Sequence, residues 1–222
     1  MKEYPTSKKN KIKRGAKRGS YNIEQINDIL DATSLCYIAF NFEGQAMVQP
    51  ISFGRKDNEL YIHGSYQNRM TESILEADSV SISVTHLDGL LLARSAFHHS
   101  VNYRSAIIFG KARELKSNDE KLLGLKALIN HVVPNRWEEC RFPTDEELKA
   151  TRVIAIEIKE ASAKIKRTPV SDNKEDYELD YWAGEIPIVT KALHPVSDEK
   201  LKAGVEMSKS AMQYYKANKK MI

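Results

Sequence analysis

Three stretches of this chain concentrate residue types able to bind an anion or a flat ring. The first is Tyr61-Ile62-His63-Gly64-Ser65-Tyr66-Gln67-Asn68-Arg69-Met70. It reads as a strand ending in His-Gly-Ser, followed by a helix that begins near Asn68 with Arg69 in its first turn. Free backbone N–H groups, a hydroxyl and a guanidinium at such a junction suit a phosphate. A polar strand-to-helix turn with an exposed arginine, and His63 as a hydrogen-bonded rim residue, is the plainer alternative.

The second stretch, Ala93 to Ser105, crowds two arginines, three serines, Asn102 and Tyr103 around the pair His98-His99. Neighbouring residues on a strand point to opposite faces and do not readily share one ion, and no Cys or carboxylate stands at ligand spacing, so no metal site is expected. An anion or cofactor pocket and a solvated hairpin both remain open. The third stretch, Asp180-Tyr181-Trp182-Ala183-Gly184-Glu185-Ile186-Pro187, places a Trp after an acidic loop. It suits a core anchor, an interface anchor or a ring beside a ligand; Trp137 has the same ambiguity. Glycine-rich nucleotide loops, His-Glu-x-x-His and Gly-x-Ser-x-Gly are absent from the sequence.

Strands must position these clusters. Leu35–Phe42 and Ala46–Phe53 flank an Asn-Phe-Glu-Gly turn, and Lys56-Asp57-Asn58-Glu59 turns into Leu60–His63, which Gly64-Ser65 is expected to break. Val80–Thr85 alternates, Asp88-Gly89 reads as a turn, and Leu90–Ala93 as a further short strand. Tyr103–Leu115 and Val153–Ile165 are long strands, with Gly110 a bulge or close-approach point. Helices are expected after Asn22, over Asn68 to Leu75, after Ser117-x-x-Glu120 (apolar face Leu122, Leu125, Leu128, Ile129, Val132) and after Thr144-x-x-Glu147. A terminal helix over Ser197 to Lys216 completes the pattern, and Thr168 to Asp180 is a loop by composition. Hairpins without regular strand–helix alternation suggest a closed or nearly closed antiparallel barrel.

The 222 residues suit one domain with extensions: a basic arm over 1–19, a main domain over 20–188 and a C-terminal helical extension over 189–222. Of 34 Lys and Arg, eight fall in residues 1–19 with a single acid, leaving 26 basic and 29 acidic residues in the body. The net charge of +4 therefore belongs to the arm, and a domain basic over its whole surface is disfavoured. Residues 1–10 read as a dispensable solvated tail. Few aromatics accompany the arm, so a nucleic-acid contact is the weakest reading. Cys36 reads as a buried free thiol, two cysteines make no disulfide framework, and with no signal peptide or membrane span the cytoplasm is the expected location.

Four blocks in order resemble the pyridoxamine 5'-phosphate oxidase-like FMN-binding split barrels, in the branch related to nitroimidazole-resistance and flavin-nucleotide-binding proteins. They are residues 13–21, Tyr61 to Ser65 with Asn68-Arg69-Met70, residues 88–105 and residues 181–187. The resemblance spans about Lys11 to Ile188. It implies a mainly β fold, a six-stranded antiparallel split barrel with flanking helices, and a homodimer with FMN at the subunit interface. It places His63, Gly64 and Ser65 beside the flavin, with His63 the candidate for cofactor or substrate chemistry. It puts Asn68 and Arg69 at the phosphate grip and Trp182 where a C-terminal Trp reaches a flavin site. Met70 stands where the family often has a second cation, so Arg104 or an arm arginine is expected to substitute; Arg14 and Arg18 fall within the matched arm block.

A donor near the N1/O2 edge of the ring would stabilise reduced, anionic flavin, and Thr85, Arg104 and Ser105 are the candidates. The leading expectation is an FMN-dependent, nitroreductase-like oxidoreductase carrying electrons or hydride from NAD(P)H to a small acceptor. The competing expectation is a non-catalytic flavin- or haem-binding module for sensing, storage or detoxification. Pyridoxamine phosphate oxidation itself is a third enzymatic reading, against which the departure at Met70 counts.

Overall fold

Alternating burial builds most of the sheet. In β2 (Leu35–Phe42) Cys36, Ile38 and Phe40 are buried between exposed neighbours, as a half-buried strand requires. This computed structural model describes residues 2–219. Met1 of the arm and residues 220–222 of the C-terminal extension lie outside the described residues.

The remaining strands are β1 (Gly19–Ser20), β3 (Gln45–Ser52), β4 (Gly54–Lys56), β5 (Glu59–Ser65), β6 (Val80–Leu92), β7 (Ser100–Leu115), β8 (Thr151–Lys166) and β9 (Gly184–Pro187). The helices are α1 (Ile23–Asp31), α2 (Arg69–Glu76), α3 (Asn118–Val132), α4 (Asp145–Ala150) and α5 (Lys209–Asn218). The sheet runs β3-β2-β6-β7-β8-β5-β4, with β1 on β8 and β9 on β6. That path has two ends, so the sheet does not close. The mainly β, antiparallel split-barrel architecture is as expected, with nine strands among the described residues rather than six.

The described chain divides into two compact units, residues 2–30, 83–108 and 160–189 in the first and residues 31–82, 109–159 and 190–219 in the second. In the first unit the arm is not a solvated tail. Tyr4 is buried and donates its N–H to the Tyr21 carbonyl at 2.9 Å. Asn10, 3% exposed, donates to the carbonyls of Pro5 (2.7 Å) and Ala161 (3.2 Å). A buried amide that donates to two carbonyls far apart in sequence ties the arm to β8. The expected break at Asp88-Gly89 is also absent. Gly89 pairs with Pro187, the Ile188 N–H reaches the Asp88 carbonyl at 2.9 Å, and β6 continues to Leu92. A partner strand and a side-chain counter-ion for Asp88 override the turn propensity of Asp-Gly.

In the second unit, Glu43 (φ 49°) and Gly44 (φ 79°) close the β2–β3 hairpin, a two-residue turn whose left-handed residues match strand twist. α3 lies against β4 and β5. A Cβ on Gly54 would stand 2.3 Å from the Leu128 Cα, so only glycine allows that approach. Gly110 is a close-approach point as expected, its absent Cβ falling 2.2 Å from the Glu157 carbonyl oxygen. The Ser117 capping box opens α3, but the buried face is Lys121, Gly124, Ala127 and Leu128, one step round from the expected leucine stripe. Cys36 is buried, which pushes its thiol up to about 12.

The terminal helix starts at Lys209, not near Ser197. Gly204 takes φ 83°, and Val196, Leu201 and Val205 are exposed, so a helix there would have no apolar face to bury. Glu139 fastens the start of α5 by accepting from the hydroxyls of Ser208 (2.6 Å) and Ser210 (2.7 Å). Those bonds hold its carboxyl at about 2.

Candidate functional site

In the second unit, β5 carries buried Leu60, Tyr61 and Ile62, then turns outward at His63. Contrary to the expected break, the strand continues through Gly64 and Ser65, because these pair with Arg152 and Thr151 of β8. Partial burial on the strand lowers the His63 pKa below the usual histidine value, so the imidazole is neutral at pH 7. Ser65 accepts from the Gln67 N–H at 3.2 Å and Asn68 caps α2 by accepting from the Met70 N–H at 3.0 Å. Arg69 is thereby the first helical residue. Its guanidinium carbon lies 5.1 Å from the Phe42 ring centroid, which stacks the side chain while leaving donors exposed.

Met70, at the position where the family often has a second cation, is fully buried. Within this unit the second guanidinium comes from Arg152, opposite Gly64 in the β5–β8 register. It donates to the Thr71 hydroxyl at 3.1 Å and lies 4.7 Å from the Tyr66 ring centroid. Its Nε is buried without a hydrogen-bond partner, the nearby Glu114 carboxylate being 3.7 Å away. Lys121 braces this corner, donating to the Tyr66 hydroxyl (3.0 Å) and to the carbonyls of Leu148 (2.7 Å) and Thr151 (2.9 Å). Sequence reasoning missed Arg152. The signal was the β5–β8 pairing, which no local pattern reveals.

The first unit holds Thr85, Arg104, Ser105 and Trp182. Thr85 is exposed on β6. Arg104 forks onto Asp88, with Nε and Nη2 both at 2.9 Å from carboxylate oxygens, so its charge is matched. The Ser105 hydroxyl donates to the Lys164 carbonyl at 3.3 Å. Trp182 is 69% exposed, and its ring covers Gly184, where a Cβ would meet it at 2.6 Å.

One unanticipated latch organises the neighbouring loop. The Asp172 side chain is fully buried and accepts from the N–H groups of Arg94 (3.1 Å) and Ser95 (3.2 Å) and from the Arg94 guanidinium (3.4 Å). Arg94 also stacks on Tyr177 at 5.0 Å. Burial raises the Asp172 pKa, but these donors outweigh it and hold the carboxyl below the usual aspartate value. Since the folded pKa lies below the unfolded value of about 3.9, the latch is at full strength above that pH and weakens as pH falls through the folded pKa. Asp172→Asn is expected to speed proteolysis of residues 168–180 at pH 7 by roughly tenfold through easier local opening. Matching digestion rates for the two proteins between pH 7 and pH 4 would refute the latch. Among the described residues no three His, Cys, Asp or Glu side chains gather as a metal site. None of the described helices is long and apolar enough to cross a membrane.

The open antiparallel sheet, with a basic strand-to-helix corner at Arg69, is the architecture of a split barrel. The sequence profile of the pyridoxamine 5'-phosphate oxidase family matches residues 22–165, and the chain belongs to that family. It is similar to the flavocytochrome Anf3 from Azotobacter vinelandii, at 32% identity over 94% of this chain and 97% of that one, with a TM-score of 0.88. It is similar also to the FAD and heme binding protein from Mycobacterium smegmatis, at 34% identity over 89% and 97%, with a TM-score of 0.84. A candidate 5-nitroimidazole antibiotic resistance protein from Bacteroides thetaiotaomicron shares the fold at 20% identity, 66% and 86% coverage and a TM-score of 0.56. Comparison with curated proteins found no match.

Proposed function

We propose that this chain binds a flavin nucleotide and serves as an oxidoreductase, passing electrons from a reduced nicotinamide to a small acceptor. The observation that carries the binding is the α2 corner, where Arg69 is exposed at the helix start and the Arg152 Nε is buried with an unmet donor. A phosphate carries close to two negative charges and accepts several hydrogen bonds, so this donor set fits it. Ser65, Asn68, Arg69 and Arg152 would hold that phosphate, with Gly64 leaving the backbone accessible. The bound flavin would supply the electron-transfer chemistry.

His63 is neutral at pH 7, so it can offer a hydrogen bond beside the ring without adding charge. Thr85, Arg104, Ser105 and Trp182 are assigned to the ring, where Arg104 acts as an oriented donor already neutralised by Asp88. The proposal includes a homodimer with the flavin at the subunit interface. Exposed Leu35, Tyr37 and Val48 on the β2–β3 hairpin, and exposed Phe97, Tyr181 and Trp182, are the apolar surfaces supporting it. FMN is the form proposed; release of FAD on heat extraction would instead assign the dinucleotide.

A second reading, a flavin- and haem-binding module without turnover, is favoured by the two relatives above 30% identity, one described as a flavocytochrome and the other as binding FAD and heme. Anaerobic mixing of the flavin-loaded protein with NADH or NADPH separates the two. Bleaching of the flavin bands is expected for the oxidoreductase. Bands that persist, in a protein that also takes up haemin to give a Soret band, would replace it with the module.

A further inference from the structure

Two described lysines are buried, and their ammonium groups are treated differently. Lys121, 5% exposed, spends its three N–H bonds on three oxygens. Lys166, 8% exposed at the end of β8, donates to the Ser100 hydroxyl at 2.5 Å. Among the described residues no carboxylate forms an ion pair with it. The side chain is covered, but its ammonium lies beside exposed Ser100 with one neutral partner, where an anion from solution would improve its pairing.

The surrounding charges deepen the deficit. The β1–β8 register sets Gly19 opposite Lys164, bringing the preceding residue, Arg18, to the same end of β8. Burial, followed by the Arg18 charge, lowers the Lys166 pKa. Three carboxylates of this unit are held by other groups: Asp172 by Arg94 and Ser95, Asp88 by Arg104, and Glu185 by Asn102 at 2.8 Å. On the approach to Ser100, the Arg94 Nε and the His98 Nε2 are both buried without hydrogen-bond partners. The position is also built rigidly. Asn102 and Thr168 exchange two hydrogen bonds, of 3.0 and 3.1 Å, just beyond Ser100 and Lys166.

We propose that Lys166, with Ser100 and Arg18, forms a seat for a phosphate group of a nucleotide ligand. The nucleotide class rests on the flavin and nicotinamide reading above; the seat itself rests on a lysine whose ammonium has one neutral partner and no ion pair among the described residues. Lysine suits this role as a compact point charge, and the serine hydroxyl supplies a second donor once its proton turns to the phosphate. With the flavin monophosphate placed at the α2 corner, the seat takes the second phosphate of FAD or a phosphate of the reduced nicotinamide dinucleotide.

The test titrates full-length wild type, Lys166→Met and Lys166→Arg with riboflavin, FMN, FAD, NADPH and inorganic phosphate, following fluorescence and heat. Lys166→Met is expected to weaken at least one phosphate-bearing ligand about tenfold or more, leaving riboflavin unchanged, with Lys166→Arg recovering most of the loss. Loss for FAD alone assigns its second phosphate and loss for NADPH alone the electron donor, whereas an equal loss for FMN and FAD overturns a seat separate from the α2 corner. Arg18→Gln should reduce the same affinity several-fold and flatten its salt dependence. Unchanged affinities in a folded Lys166→Met overturn the seat, as does a change in oligomeric state without a change in affinity, which would assign the ammonium to another subunit. Should Lys166→Met not fold, unchanged affinities in Ser100→Ala and Arg18→Gln overturn it equally. Wild type that binds neither riboflavin, FMN nor FAD sinks the flavin reading, while NADPH and phosphate still decide the seat.

Discussion

Alanine at both Arg69 and Arg152 is expected to lower FMN affinity by about two orders of magnitude. Each guanidinium would make charge-assisted hydrogen bonds to the phosphate worth roughly 1.5 kcal/mol or more, and about 1.4 kcal/mol is tenfold in affinity. Arg69 is stacked on Phe42 but otherwise exposed at the helix start, so its replacement should cost affinity with little stability. Arg152 also bonds Thr71 and stacks on Tyr66, so the double variant needs a melting control. Riboflavin, which has no phosphate, is expected to bind wild type and variants alike. An equal loss for riboflavin and FMN would mean that the corner had collapsed. An unchanged FMN affinity would remove the phosphate from α2 altogether.

Valine at Gly54 should be the most damaging single change to the scaffold. The added Cβ would stand 2.3 Å from the Leu128 Cα, 2.6 Å from its nitrogen and 2.7 Å from the Ala127 carbonyl oxygen. All three are backbone atoms of α3, so no rotamer relieves the overlap and the helix must move off β4. Forced overpacking of this kind costs about 3 kcal/mol, and a chain of this size should melt roughly 6–12 °C lower. The consequence reaches the site, because α3 carries Lys121, which supports Tyr66 beneath Arg152. Gly44→Ala is the control: its φ of 79° disfavours a side chain, but nothing lies within 4 Å of the new Cβ, so the cost should be about 1 kcal/mol. A melting temperature for Gly54→Val within a degree or two of wild type would contradict this packing.

Features written into neighbouring residues were legible in the sequence. The β2 alternation, the capping boxes at Ser117 and Thr144, the Glu43-Gly44 turn and the helix start at Asn68 all depend on bonds spanning a few positions. Features decided by distant strands were not. Asp88-Gly89 has turn chemistry, yet β9 pairs across it. Gly64-Ser65 resembles a strand stop, yet β8 extends the pairing to Thr151. The α3 stripe shifted because Gly124 packs against Leu115, Val153 and Tyr61, and the helix backbone at Ala127 and Leu128 packs against Gly54. Residues 1–10 looked expendable by composition, but buried Tyr4 and Asn10 tie them to Tyr21 and Ala161.

The site followed the same rule. Placement of Gly64, Ser65, Asn68 and Arg69 around one corner was readable from their spacing and from the family resemblance. Arg152, 83 positions after Arg69, joins them through sheet register alone. The Asp172 latch and the buried Lys166 likewise needed contacts across more than 60 residues. Sequence composition marked residues 168–180 only as an acidic loop, without showing that one of its acids is wholly buried.

The central claim is that this chain binds a flavin nucleotide through its phosphate at the α2 corner. The most direct measurement is a titration of flavin-free wild-type protein with FMN, followed by flavin absorbance and fluorescence and repeated with riboflavin. Saturable binding of FMN, with red-shifted flavin bands and affinity at least tenfold above that for riboflavin, is the result the phosphate contacts predict. FMN that leaves its spectrum and fluorescence unchanged at saturating protein, with FAD doing the same, would contradict the account.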